Sequence, residues 1–407
     1  MNKGVCLYLH IHQPYRVRPY SVFDIGENHN YFDIFNESNL NNERVFHNVA
    51  EKSYRPAADM LQKLLDRHPE FRFSISITGD FIEQAERWSP DILEKFKRLV
   101  DSGRVEIVGE TYYHSLAFYY SEQEFEAQVK LHRDKVYELF GVTPTAFRNT
   151  ELAYDDSLGT WAEHAGYDAI LAEGWDDVLQ WRSPNYVYRP PNTEHVRLLL
   201  KNYQLSDDIA FRFGNRTWSE WPLTAEKYAG WVAAATENGP LVNLFMDFET
   251  FGEHQWADTN IFYFLENFVD EWLNTETRTF YTITEAARQY EPSAELSIPH
   301  TITWADSERD LSAWLGNSMQ QEAAKYLYAL ENDVVRSGDA ALIREWRLLQ
   351  SSDHLYYMAT KWLADNDVHI YFSPYESPYD AFLYYMNVIR DVRWRVMQHH
   401  SLGGIDG

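Results

Sequence analysis

Cysteine is almost absent: the 407-residue chain has one, Cys6. A single thiol cannot close an internal disulfide, and without a Cys-x-x-Cys pair no zinc or dithiol redox site is indicated. No run of about 18 apolar residues occurs, so no membrane-spanning helix is expected. The opening stretch MNKGVCLYLHIHQPYR has a short apolar run without a small-residue cleavage site, and histidines punctuate it. It reads as a strand and not as a signal peptide, which makes the cytoplasm the expected compartment. Basic residues are scarce beside acidic ones: 36 Lys and Arg against 62 Asp and Glu give a formal net charge of −26. That balance argues against nucleic acid or an anionic membrane as partner. Glycine clusters are missing too. The HIHQPYR that ends the first apolar run has none of the glycines of a dinucleotide-binding turn.

Apolar and aromatic residues are abundant. Hydrophobic residues make up 45% of the chain, enough for a sizeable core, and there are 14 Trp, 28 Tyr and 23 Phe. Aromatic rings fill cores, and they also stack on sugar faces. Short apolar runs of strand length recur: VCLYLHIH, FRFSISITG, RVEIVGE, PTAFRNTE, YDAILAEG, VRLLLKN and PLVNLFMDFE. Segments with helical period lie between them. One is SEQEFEAQVKLHRDKVYELFG, which opens on the capping-box pair Ser121 and Glu124 and stops at Gly141. Strand and helix in alternation predict a parallel sheet with helical crossovers, and seven strands suit a distorted (β/α)7 barrel better than an open sheet. After about residue 275 the chain turns helix-like. The expected domains are therefore a barrel over 1–275 and a helical region over 276–407 that packs on it and completes the site.

In a parallel barrel the chemistry sits at the carboxyl ends of the strands. Those ends are polar here. The first carries His10 and His12, two apart and hence on one face. The second is followed by Asp80 and Glu83, the third by Glu110, and the fourth by Asn149 and Glu151. The fifth ends at Glu173 and the seventh at Asp247 and Glu249. One such acid is commonly a helix cap or an ion-pair partner. Converging carboxylates raise one another's pKa, which a fold tolerates where the site uses it. A carboxylate pair across a cleft suits glycosidic bond cleavage, one acid attacking the anomeric carbon and the other protonating the leaving oxygen. A rival reading uses the histidines: His10 and His12 with Asp80, Asp247 or His254 would ligate a divalent metal, as in metal-dependent polysaccharide deacetylases. A hydrogen-bonded structural role inside the barrel accounts for the same two histidines.

Five blocks in order carry a resemblance: LHIHQPYR at 9–16, TGDFIEQ at 78–84, FRNTELAYDD at 147–156, FMDFETFGEHQW at 245–256 and TITWADSERDLSAWLGN at 301–317. With them the chain resembles glycoside hydrolase family 57, in particular its compact α-amylase-type members. The resemblance implies a (β/α)7 barrel followed by helices. It also implies retaining cleavage of α-1,4-glucans (starch, glycogen or maltooligosaccharides) with no metal or other cofactor. It makes Glu151 the nucleophile and Asp247 the general acid/base. His10, His12 and Gln13 resemble residues lining the sugar subsite, and Glu83 a site carboxylate. Glu249, His254, Trp256, Trp304, Asp310 and Trp314 are carried over as substrate contacts. The residues fit that split of roles. Arg148 and Asn149 give Glu151 a polar setting in which it stays ionised, whereas Met246 and Phe248 flank Asp247 with apolar groups that favour its acid form. The chain lacks the long β-rich C-terminal region of the family's 4-α-glucanotransferases, which points to hydrolysis. Transfer on the same substrates, deacetylation and non-catalytic glucan binding are the alternatives.

Overall fold

The computed structural model describes residues 3–36, 38–361 and 373–403. The chain divides into two compact units. The first comprises Met1–His12, His47–Glu110 and Val129–Asp310; the second comprises Gln13–Phe46, Thr111–Gln128 and Leu311–Gly407. This differs from a division at 275 in two ways. The segment after 275 begins with a further strand that pairs with the first, so residues up to Asp310 stay with the sheet unit. And the connections after the first and third strands carry a hydrophobic core of their own, in which Tyr15, Tyr20, Tyr31 and Phe32 are buried. A reading along the chain assigns such connections to the sheet they leave.

All seven expected strands are present in the first unit. They are β1 (Lys3–Ile11), β2 (Phe73–Ile77), β3 (Val105–Ile107), β4 (Ala146–Phe147), β5 (Ala169–Glu173), β6 (Arg197–Lys201) and β7 (Leu241–Asp247), with β8 (Arg278–Phe280) in addition. Every named pairing is parallel. One sheet runs β3-β2-β1-β7 with β8 also on β1; the other runs β4-β5-β6. The sheets join at two seams that are hydrogen-bonded without continuous strand pairing. At the first, Gly109 N–H donates to Ala146 O and Arg148 N–H to Gly109 O, both at 2.8 Å. At the second, Asn202 N–H donates to Asn243 O at 2.9 Å, and the Asn243 amide donates to Leu200 O at 2.9 Å. An asparagine in the middle of an apolar strand thus satisfies backbone groups that a ladder would otherwise pair. The result is the expected α/β fold of parallel strands and helices.

The helices obey their end signals. Thr78 caps Gly79–Trp88 by accepting from Phe81 N–H at 3.3 Å. Asp155 caps Asp156–Ala165, which stops at the left-handed Gly166. In the second unit the capping box at Ser121 forms by half. Ser121 Oγ accepts from Glu124 N–H, but the Glu124 carboxylate turns instead to a two-pronged pair with Arg347 at 2.9 and 3.0 Å. That unit is helical, with Ser318–Tyr328, Glu331–Ser337, Ala340–Leu348, Ser352–Tyr356 and Pro378–Gly403. The helix-like stretch ending in WLAD runs on beyond residue 361, outside the described residues. No described helix is long and apolar enough to cross a membrane.

Candidate active site

The site follows from the period of two. Inside the first unit, Cys6 and Tyr8 of β1, Ala169 and Leu171 of β5, Leu199 of β6 and Phe245 of β7 share one buried cluster. Two residues further along, the same faces carry His10, Glu173, Lys201 and Asp247. Strand register then pairs them: His10 lies opposite Ser76 on one side and Asp247 on the other, and Glu173 lies opposite Lys201. An apolar interior therefore ends in a polar layer at the carboxyl ends of the strands.

Glu151 reaches that layer through an unusual turn. After β4 the chain makes a single 3-10 turn, Thr150–Leu152, in which Glu151 and Leu152 have φ of 60° and 51°. Left-handed backbone at consecutive residues with side chains costs on the order of 1–3 kcal/mol each and persists only where neighbours enforce it. The neighbours here are visible. Tyr154 and Ile302 exchange backbone hydrogen bonds at 2.9 Å, and Trp304 N–H donates to Glu151 O at 3.2 Å. That alignment brings the Trp304 indole N–H to the Glu151 carboxylate at 2.9 Å. Asn149, on the face expected to turn inward, is buried and its amide ties the turn to Ala153 O at 3.1 Å.

Asp247 ends β7, and Glu249 follows in the next turn. Burial raises the Asp247 pKa; the charges of His254, Arg148 and Lys201 oppose this and that of Glu151 adds to it. Burial lowers the pKa of His254 against the pull of Asp247, so both groups are pushed toward their neutral forms. Glu249 is buried and accepts from Tyr54 O–H at 2.7 Å and from His12 N–H at 3.3 Å. Burial first, then the charge of Asp247, pushes its carboxyl up to about 8. In the unfolded chain a glutamate titrates at about 4.3. Between roughly pH 4.3 and 8 the folded chain keeps a proton that the unfolded chain has lost, so stability falls as pH rises through that window. Glu249→Gln should flatten this slope. Melting temperatures from pH 5 to 8 will then decline less in the variant than in the native protein, and equal declines would remove Glu249 as the source.

The histidines are oriented by hydroxyls. His10 Nδ1 bonds Ser76 Oγ at 2.9 Å, and Ser76 in turn bonds Tyr8 O–H at 2.6 Å. His12 Nδ1 bonds Thr78 Oγ1 at 2.9 Å, and the two imidazoles stack at 6.0 Å. Among the described residues, none of Asp80, Asp247 and His254 belongs to a set of three donor atoms mutually within 4.8 Å. The donor set required by the metal reading does not converge.

Further charged residues complete the layer, and the site role of three of them, Lys201, Asp207 and Arg309, was not read from the sequence. Buried Glu173 lies 3.2 Å from Arg309 and 3.7 Å from Lys201. Asp207 lies 3.1 Å from Lys201 and 3.9 Å from Arg309. Arg309 also donates to Trp304 O. Fully buried Arg148 stands 3.7 Å from Glu110 and 5.0 Å from the Trp304 ring centre. Lys201 approaches the same ring at 5.5 Å and His10 at 6.4 Å, so Trp304 is hemmed by cations and imidazole while its N–H serves Glu151. A lysine closing an apolar strand was the available signal for Lys201.

Glu83 is half-buried on Gly79–Trp88, and Asp310 is exposed. Trp256 is 58% exposed with the Lys52 ammonium 5.6 Å from its ring. Gln13 and Trp314 belong to the second unit. There Gln13 accepts from Arg16 at 2.8 Å, and Trp314 is buried 6.2 Å from Tyr356.

Parallel strands whose carboxyl ends gather acids, histidines and a tryptophan define an enzyme of the α/β class. The profile of glycosyl hydrolase family 57 matches residues 6–299, and the chain belongs to that family. It is 39% identical over 400 residues to a putative alpha-amylase of Methanocaldococcus jannaschii, covering 95% of this chain and 84% of the relative. Identity to an alpha-amylase of Pyrococcus horikoshii is 22% over 291 residues; the match spans 69% of this chain and 43% of that longer protein. Among solved structures, a family 57 branching enzyme of P. horikoshii is similar with a TM-score of 0.67 at 16% identity, over 98% of this chain and 88% of that one. Membership makes the chain a glycoside hydrolase and decides between the glycosidase and deacetylase readings.

Proposed function

We propose that the chain is a retaining hydrolase of α-1,4-glucans, with Glu151 as nucleophile and Asp247 as general acid/base. The observation that carries the reading is the contrast between these two carboxyls. Glu151 receives an indole N–H at 2.9 Å, which holds and orients its carboxyl group. Asp247 has its acid form favoured by burial and by the charge of Glu151. A general acid must be protonated, and the surroundings of Asp247 push in that direction. Glu151 attacks the anomeric carbon as Asp247 gives its proton to the departing glycosidic oxygen. Asp247, now ionised, takes a proton from water, which displaces Glu151 and restores both groups. Gln13, Glu83, His254, Trp256 and Asp310 are proposed as contacts to the sugar beside His10 and His12. The substrate class is supported by the alpha-amylase names of both relatives.

Incubation with maltoheptaose and amylose tests the reading. Hydrolysis predicts a net gain of reducing ends and products released in the α configuration, followed by NMR at early times. Disproportionation without that gain would instead identify a 4-α-glucanotransferase, and β products would rule out retention.

A further inference from the structure

We infer that the first unit carries a second carbohydrate surface, an aromatic track of Phe211, Trp218, Trp221 and Trp231 that holds a glucan chain beyond the catalytic residues. The glucan class rests on the function proposed above. The track lies on the connection after β6, whose last residue, Lys201, is in the site. Phe211 is 61% and Trp221 43% exposed, and Trp218 and Trp231 are half-buried. Trp218 and Trp231 meet edge to face at 6.1 Å, and a backbone turn from Trp218 O to Trp221 N–H at 3.0 Å sets the third indole beside them. The track is fixed to the turn that carries His254 and Trp256. The Gln255 amide donates to Ala210 O at 2.9 Å, and a side-chain carbon at Gly214 would fall 2.6 Å from Gln255 Oε1. Trp256, itself 58% exposed, is the next residue after Gln255 in that turn.

Electrostatics select the ligand. A cation stands against each indole: Arg212 at 5.8 Å from Trp218, Arg216 at 5.9 Å from Trp221 and Lys227 at 5.2 Å from Trp231. Two of these cations are already neutralised, Arg212 by Asp208 at 2.7 Å and Lys227 by Glu220 at 2.5 Å. The patch therefore offers apolar ring faces and little free charge, on a chain whose net charge of −26 repels polyanions. A neutral polyhydroxylated chain with C–H faces meets both conditions. Exposed aromatic patches of this kind mark binding surfaces.

The test is the double variant Trp218→Ala/Trp221→Ala of the full chain. Electrophoresis through gels containing soluble amylose should show affinity reduced roughly tenfold, the scale of a lost aromatic stacking contact. KM for amylose should rise in parallel, with kcat and KM for maltotriose unchanged, which also reports a native fold. Trp218→Phe/Trp221→Phe should keep the affinity. Trp221→Ala alone, at the most exposed of the indoles at 218, 221 and 231, should move amylose affinity in the same direction if the double variant fails to fold. Native-like amylose binding by a variant that turns over maltotriose normally overturns the track. So does a loss of affinity that merely follows dissociation of a native dimer in size-exclusion chromatography. If the native chain neither binds nor hydrolyses any glucan, the functional reading fails first, and the track with it.

Discussion

Replacing Asp247 by asparagine is expected to lower amylose turnover by about a thousandfold, within the range of roughly 10²–10⁴ that a positioned general acid or base contributes. Asparagine keeps the size of the side chain and loses the proton. The effect should depend on the leaving group. A glucosidic oxygen needs protonation to depart, so the first step stalls. An α-maltosyl fluoride needs no such help, and its first step should survive as a burst followed by slow hydrolysis. Added azide, which attacks without a general base, should accelerate that second step and yield a glycosyl azide of retained configuration. Amylose turnover at the native rate would take Asp247 out of the role. Glu249 is not an equivalent candidate. It stands two residues away, but Tyr54 O–H and His12 N–H already engage its carboxyl, which ties it to the scaffold under the site.

The parts of this molecule that were legible in the sequence are those with a local cause. Seven apolar runs with strand composition became seven strands because a buried parallel sheet requires such runs. The strand-end positions of His10, Glu173 and Asp247 were legible from the apolar runs that they close. Asp155 caps the helix that follows it in the chain, a local cause. Other features depend on partners far along the chain. β8 has one buried residue, Phe280, and exists because Lys3–Val5 of β1 lie before its pairing with β2 begins. Trp314 and Tyr356, 42 residues apart, meet at 6.2 Å between ring centres. The left-handed backbone at Glu151 and Leu152 has no glycine to announce it and is enforced by residues 302–304. Arg309 reads as a loop arginine until Glu173 is placed beside it.

That long-range ion cluster is the basis of the largest expected loss of stability. Lys201→Met should cost about 3–5 kcal/mol, the penalty for stranding a buried charge by removing its partner. The pair is well protected from solvent: the Glu173 side chain is 0% exposed and that of Lys201 5%. Methionine preserves the apolar stem, so the loss isolates the ammonium group. Without it, Glu173 and Asp207 face one cation, Arg309, which cannot satisfy both. Urea unfolding should show a lower midpoint with an unchanged slope. Burial already raises the Glu173 pKa with both cations present, and removing one raises it further. A larger gap above the unfolded value means that the variant loses more stability than the native chain as pH rises above about 4.3. Adding Glu173→Gln to Lys201→Met should recover part of the loss, because the stranded charge is then gone. A double variant as unstable as the sum of the singles would mean that the cluster does not act as a unit. The damage should also reach catalysis. Arg309 holds the Trp304 carbonyl, and Trp304 in turn holds Glu151, so turnover at a temperature well below melting should fall in Lys201→Met while the double variant regains part of it.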